Sequence, residues 1–251
     1  MRLMMMLAPS LRLFAHLALA ASALGLGACT PVALSPPART LPLESAATLE
    51  EGDVAVQASG GYHDTSGGDI GSAALRARIG LVPHLEAQLE ATYAHVGYGD
   101  ERSPHLGAGR LGLKVAPIEH IALVAGIGAG AHSYGAFAAP DAGVIFAYEN
   151  PYVVPWIALR GWVSLPIDPS IVTVTRTAGD GTVDMFVLVP PNTAAWQLST
   201  GVRVPIALDA ERGIRMNLLA GGGIGELYGL DGQARHGIFH FESGLEIVVD
   251  P

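Results

Sequence analysis

The chain has 251 residues, with 14 Lys and Arg against 23 Asp and Glu, for a formal charge of −9. Apolar residues make up 50%, charged residues only 15%, and 32 positions are glycine, roughly twice the ordinary share. This excludes a disordered chain, which is poor in apolar residues and rich in charge. One cysteine excludes a disulfide scaffold, and the acidic balance speaks against a nucleic-acid partner. What remains is a tension. Mean hydropathy is +0.37, with too little charge to clothe an ordinary soluble core.

Residues 1–28 read MRLMMMLAPSLRLFAHLALAASALGLGA. Arg2 and Arg12 make a basic start, Leu13 to Leu26 is apolar apart from one His, and small residues follow. That is the order of parts in a secretory signal peptide. The next residue, Cys29, is the only cysteine in the chain. Leu26-Gly27-Ala28-Cys29 resembles the lipobox of bacterial lipoproteins. The resemblance implies removal of residues 1–28, a covalent diacylglycerol on the Cys29 thiol, and acylation of the new amino group. Thr30 is not acidic, so the inner-membrane retention signal of such lipoproteins is absent. The resemblance therefore implies the outer membrane of a Gram-negative cell envelope.

Pro31, Pro36, Pro37 and Pro42 follow among Ala, Ser and Leu. Helix and strand periods do not survive that many prolines. Residues 29–52 read as a tether to a folded unit, 53–251, that starts near Asp53.

From there the dominant period is two, the signature of a two-faced strand. In LEAQLEAT, Leu85, Ala87, Leu89 and Ala91 share one face, with Glu86, Gln88 and Glu90 on the other. In the preceding strand Leu75, Ala77, Ile79 and Leu81 oppose Arg76 and Arg78. Only Pro83 and His84 separate the two, which predicts a tight hairpin. The same alternation predicts strands at 53–62, 73–82, 85–98, 105–116, 121–134, 152–165, 194–206, 213–224 and 237–249. Residues 121–140 carry no formal charge and match a membrane helix in length. But Gly126, Gly128 and Gly130 recur at every second position, which is a strand period built from a poor helix former.

Most of these strands run 10 to 14 residues, against ~5–6 in soluble sheets. A tilted membrane strand needs ~9–11. Connections at 83–84, 117–119 and 207–212 are short. Those at 64–71, 99–104, 135–151 and 228–236 are longer or glycine-rich. Short turns on one side and long loops on the other are the habit of outer-membrane barrels. Tyr62, Tyr98, Tyr134, Tyr152 and Tyr228 are expected at the long-loop end, as an interfacial girdle. Nine strands require a tenth if both ends lie on one side, and it is expected between 166 and 193, at 171–177 or 183–189. The chain thus resembles small outer-membrane barrel proteins over roughly residues 50–250. The fold class expected is all-β: an antiparallel up-and-down transmembrane barrel of about ten strands, with eight and twelve as neighbouring counts. Many such barrels end on an aromatic residue, whereas this sequence ends Val-Val-Asp-Pro.

The face opposite the apolar one gathers Arg76, Arg78, Arg110, Lys114, Arg160, Arg203 and Arg215 against Glu86, Glu90, Glu242 and Glu246. Barrels of ~8 strands are filled by side chains and open porins need ~16. These charges are therefore expected to form a salt-bridged luminal network that plugs a narrow barrel. An anion-leaning channel, a soluble periplasmic lipoprotein domain with its apolar face inside, and a rim enzyme are the competing readings. Candidate rim groups are His63, Asp64, Asp100, His105, His132, Ser133 and Tyr134, but no nucleophile motif accompanies them. Gly107, Gly109 and Gly112 match GxGxxG with a strand after them rather than a helix, so no dinucleotide site is expected. His240 and Glu242 share a face but are too few for a metal site. The expected protein is a non-enzyme without metal or cofactor. It is expected to sit among outer-membrane lipids and to meet surface partners through loops 135–151 and 166–193.

Overall fold

The computed structural model describes residues 37–39, 43–65, 68–97, 105–132, 135–169, 172–177, 183–188, 191–209, 213–230 and 235–250. Among the described residues every regular element is a strand. The strands are β1 (Val54–Thr65), β2 (Gly68–Val82), β3 (Leu85–Gly97), β4 (His105–Ile118), β5 (Ile121–His132), β6 (Gly135–Ala147), β7 (Val154–Pro169), β8 (Val172–Thr177), β9 (Val183–Leu188), β10 (Thr193–Asp209), β11 (Ile214–Gly229) and β12 (Arg235–Val249). Ten of them close a barrel in chain order, with β10 beside β7 and β12 returning to β1. Every neighbouring pair is antiparallel. The hairpin β8–β9 is a separate two-stranded sheet.

The count of ten is the expected one, but the tenth strand is not where the pattern placed it. Residues 166–193 hold the end of β7 and the separate hairpin, and the missing barrel strand is β6. The expected surface loop 135–151 is therefore corrected to a wall strand and a short turn. Its sequence, GAFAAPDAGVIFA, hid the strand because Gly, Ala and Pro140 dilute the apolar alternation. Pro140 has no N–H to give a ladder, and the β6–β7 register passes from Ala138↔Leu165 to Asp141↔Trp162 across it. With β6 in place β7 runs the other way along the barrel. Tyr152 consequently joins Tyr148 at the short-turn end, not the long-loop end. Tyr62 and Tyr228 are at the loop end, while Tyr98 and Tyr134 lie outside the described residues.

Alternation puts the apolar residues outside. Leu75, Leu111 and Ile127 are 61%, 63% and 61% exposed, and every barrel strand contributes such residues. The Pro83-His84 hairpin is present, with His84 at φ 67°. The β1–β2 connection is tighter than expected, with only 66–67 between the two strands.

The folded unit also starts earlier than Asp53. Part of the segment expected as a tether lies inside the barrel, with Ala38, Arg39, Leu43, Glu44, Ser45, Ala46 and Leu49 all buried. Proline-rich backbone cannot satisfy its own polar groups, and here the wall does so. Leu43 O accepts from Arg76 Nη1 at 2.9 Å and Gln57 Nε2 at 3.3 Å, and Ala47 O accepts from Lys114 Nζ. The N–H of Leu49 donates to Glu86 at 3.1 Å and that of Ala47 to Glu149 at 3.2 Å. The segment has a direction. Ala38 packs with Ala94, Leu106 and Phe137 near the loop end. Leu43 and Ala46 pack with Ala116, Ala122 and Val154 near the short turns. Leu49 packs with Ala55 and Val248. Gly52, at φ 89°, then reverses the chain into β1.

Candidate functional site

Among the described residues three groupings of polar side chains stand out, two in the lumen and one at its short-turn rim. The central one starts from register. Glu90 stands opposite Arg76 on β2 and Arg110 on β4, and Glu86 stands opposite Lys114. Opposite charges on one face at adjacent positions pair readily. Arg76 Nε meets Glu90 Oε2 at 2.6 Å, and Arg78 Nη1 meets Glu86 Oε1 at 3.1 Å. Arg78 also reaches Glu246, which accepts from Asn217 at 2.7 Å. Arg110 turns away from Glu90 to grip Asp141 of β6 with two bonds, 2.6 and 2.7 Å.

At the centre is a carboxylate that the strand pattern did not reveal. Glu44, on the luminal segment, meets Arg39 at 2.8 Å, Arg160 at 2.7 Å, Lys114 at 3.5 Å and Arg76 at 3.9 Å, and accepts from Gln88. Arg39 also approaches Glu90 at 3.2 Å. Buried charges are tolerated only when paired and hydrogen-bonded. One carboxylate thus ties the segment to four strands, β2, β3, β4 and β7. The signal was present: Arg39 and Glu44 are the only charged residues between Cys29 and Glu50. Asp141 was missed with the strand that carries it.

The second grouping lies nearer the loop end. His63 shares a hydrogen bond with Ser72 at 3.1 Å and stacks on His240 with ring centroids 5.7 Å apart. Gln197 Nε2 donates to His240 Nδ1 at 2.9 Å, and Ser199 Oγ lies 3.3 Å from Nε2. Glu242 is in the lumen, 3.7 Å from His240, and neither of its oxygens has a hydrogen-bond donor. It is not paired with an arginine as the luminal reading expected. Among the described residues no three His, Cys, Asp or Glu side chains are placed to hold a metal.

Two of the expected luminal arginines belong to a third grouping, at the short-turn rim. Arg203 pairs with Glu149. Arg215, half exposed, meets Asp250 at 2.7 Å and Asp53 at 3.2 Å. Burial and the Asp250 carboxylate raise the Asp53 pKa above its ordinary value, with Arg215 opposing. Of the rim-enzyme candidates, His63 is luminal, while His105 is exposed and bonded to Tyr93 at 2.6 Å. His132 sits beside Phe137. Asp100, Ser133 and Tyr134 lie outside the described residues, as does Cys29. The glycines of the GxGxxG match are part of β4.

The strand order defines a closed ten-stranded antiparallel β-barrel. Among solved structures the chain is similar to the β domain of the Bordetella autotransporter BrkA. Identity is 15% over 78% of this chain and 98% of that one, with a TM-score of 0.45. It is also similar to the N-terminal barrel domain of Pseudomonas aeruginosa OprF, at 12% identity, 80% and 99% coverage and TM-score 0.34. The NanC porin gives 10% identity, 78% and 100% coverage and TM-score 0.35. No protein-family model and no curated protein sequence matches the chain.

Proposed function

We propose that this chain is an outer-membrane β-barrel closed by its own pre-barrel segment and anchored by lipid at Cys29, with a structural or surface-interaction role. The observation that carries the reading is Glu44. Its carboxylate sits on the luminal segment and meets cations from β2, β4 and β7, so the segment is bound to the wall and not loosely lodged. The apolar exterior supports a bilayer setting. Side chains such as Leu75, Leu111 and Ile127 face outward on strands long enough to span it, and the charges are inside. The separate hairpin β8–β9 between β7 and β10 is the surface available for a partner. The role is non-enzymatic.

Planar-bilayer recording tests closure. Purified full-length protein gives no reproducible unit conductance, whereas a variant lacking residues 37–49 does. Ion-selective steps from the intact chain would sink the closed reading in favour of a channel. Solubility tests the setting. The mature Cys29→Ala protein requires detergent, and a detergent-free monomer would point to a soluble periplasmic domain instead. Mass spectrometry of the membrane-extracted chain tests the anchor, expecting a mature protein that starts at an acylated Cys29.

A further inference from the structure

Between residues 37–39 of the luminal segment and the wall of β6, β7 and β10 lies a crevice that includes Arg39, Asp141, Arg160, Trp162 and Gln197. Register builds it. Trp162 stands beside Asp141, and Arg160 stands beside Gln197. Its donors outnumber its acceptors. Arg39 Nη1, Arg160 Nε, Arg160 Nη1 and Trp162 Nε1 are all buried without an acceptor. The side chains of Arg39 and Arg160 are more than nine-tenths buried.

The carboxylates of Glu44 and Asp141 are already committed. Both guanidiniums share one atom, Glu44 Oε2, at 2.8 and 2.7 Å. Both oxygens of Asp141 accept from Arg110. The Gln197 amide N–H is directed to His240. The charged groups acting on Arg160 include Arg39, Arg110 and Arg76 and the carboxylates of Glu44, Asp141 and Glu242. What the crevice lacks is acceptors at its N–H groups, and a buried guanidinium or indole N–H without one is costly. An anion accepts from several such donors at once, whereas a water brings hydrogens of its own that need acceptors. The space open to the centre of a water-sized group is about 10 Å³, enough for one small ligand and no organic molecule.

We propose that this crevice is a binding site for a small inorganic anion of halide size, held by Arg39, Arg160 and the Trp162 indole N–H. The anion supplies the acceptor that buried donors of the luminal segment and β7 lack. The site does not depend on lipidation or on closure of the pore.

The test uses the full chain in detergent, with chloride and bromide as probes. Thermal unfolding is followed as chloride replaces gluconate at constant ionic strength. Wild type is stabilised along a saturating curve. Trp162→Phe, which keeps the ring and loses the donor, raises the half-saturating chloride about threefold, and Arg160→Gln raises it about tenfold or more. Crystals grown in bromide show one anomalous peak within hydrogen-bond distance of Arg160 and Trp162 Nε1. A linear response, or a curve identical in wild type and Trp162→Phe, overturns the proposal. So does a bromide peak without any saturable response in solution, which would mean an adventitious ion only.

Discussion

The two sides of the lumen are built from opposite materials. On β1–β4 and β12 the middle inward positions are largely long and polar: Gln57, Arg76, Arg78, Glu86, Glu90, Arg110, Lys114 and Glu246. On β5 and β6 they are mostly small or apolar: Ala122, Val124, Gly126, Gly128, Gly130, Phe137, Ala139 and Ile145. The two sides fit together. A Cβ on Gly126 would collide with the Arg110 guanidinium, and one on Gly128 with Ala38 of the luminal segment. The small wall is the space into which the large wall and the segment extend. A charged face announces itself in a sequence. A face whose job is to leave room does not, because its residues also make up loops.

The largest way to break this pairing is to remove its hinge charge. Glu44→Ala leaves Arg39, Arg160, Lys114 and Arg76 short of a buried counter-ion and should cost about 3–5 kcal/mol, read as a lower urea midpoint. Next, Leu111→Arg puts a cation on the outer face of β4, with the inner face untouched. In lipid it should cost about 2–4 kcal/mol, measured by reversible unfolding from vesicles. A neutral result would mean that this face does not meet hydrocarbon. Gly126→Leu fills the space used by Arg110 and should cost about 1–3 kcal/mol. Gly112→Leu, at the cross-strand partner of Gly126 on β4, would meet the same guanidinium and should behave alike. If Gly126→Leu is neutral, the small wall is not a receptacle. The smallest expected effect is at the short-turn end. Gly213 has φ 63°, so Gly213→Ala should cost about 1 kcal/mol, seen as a small drop in melting temperature.

The direction of the luminal segment gives a test without an energy scale. In Cys29→Ser protein inserted in cells, a membrane-impermeant maleimide applied from outside should label Pro37→Cys faster than Ala47→Cys. Equal labelling would remove the assigned direction.

Most of the large wall was legible in the sequence. Arg76, Arg78, Glu86 and Glu90 alternate with leucines and alanines around a two-residue turn, and strand geometry leaves them only one way to meet. Beyond that wall the reading failed in informative places. Arg110 was recognised as luminal, but its partner Asp141 sits on the strand mistaken for a loop. Arg203 and Arg215 follow the luminal period yet lie toward the short-turn end, Arg203 opposite the first residue of β7 and Arg215 at the start of β11, where the same face opens onto the rim. Periodicity fixes a face and says nothing of depth.

The sequence alone determined the all-β class, the inward and outward faces and the number of wall strands. The class and the two faces of each strand follow from a period of two. The scarcity of charge points to the apolar face as the outer one. The count is nine alternating segments plus the one that parity requires. Only the tertiary structure decided which segment is the tenth strand, and that residues 37–39 and 43–49 lie inside. Those choices depend on long-range complementarity: a wall of glycine and alanine opposite arginines, and a carboxylate at position 44 surrounded by cations from positions 39, 76, 114 and 160. No local pattern records these, because apart from Arg39 each partner of Glu44 is far away in the chain.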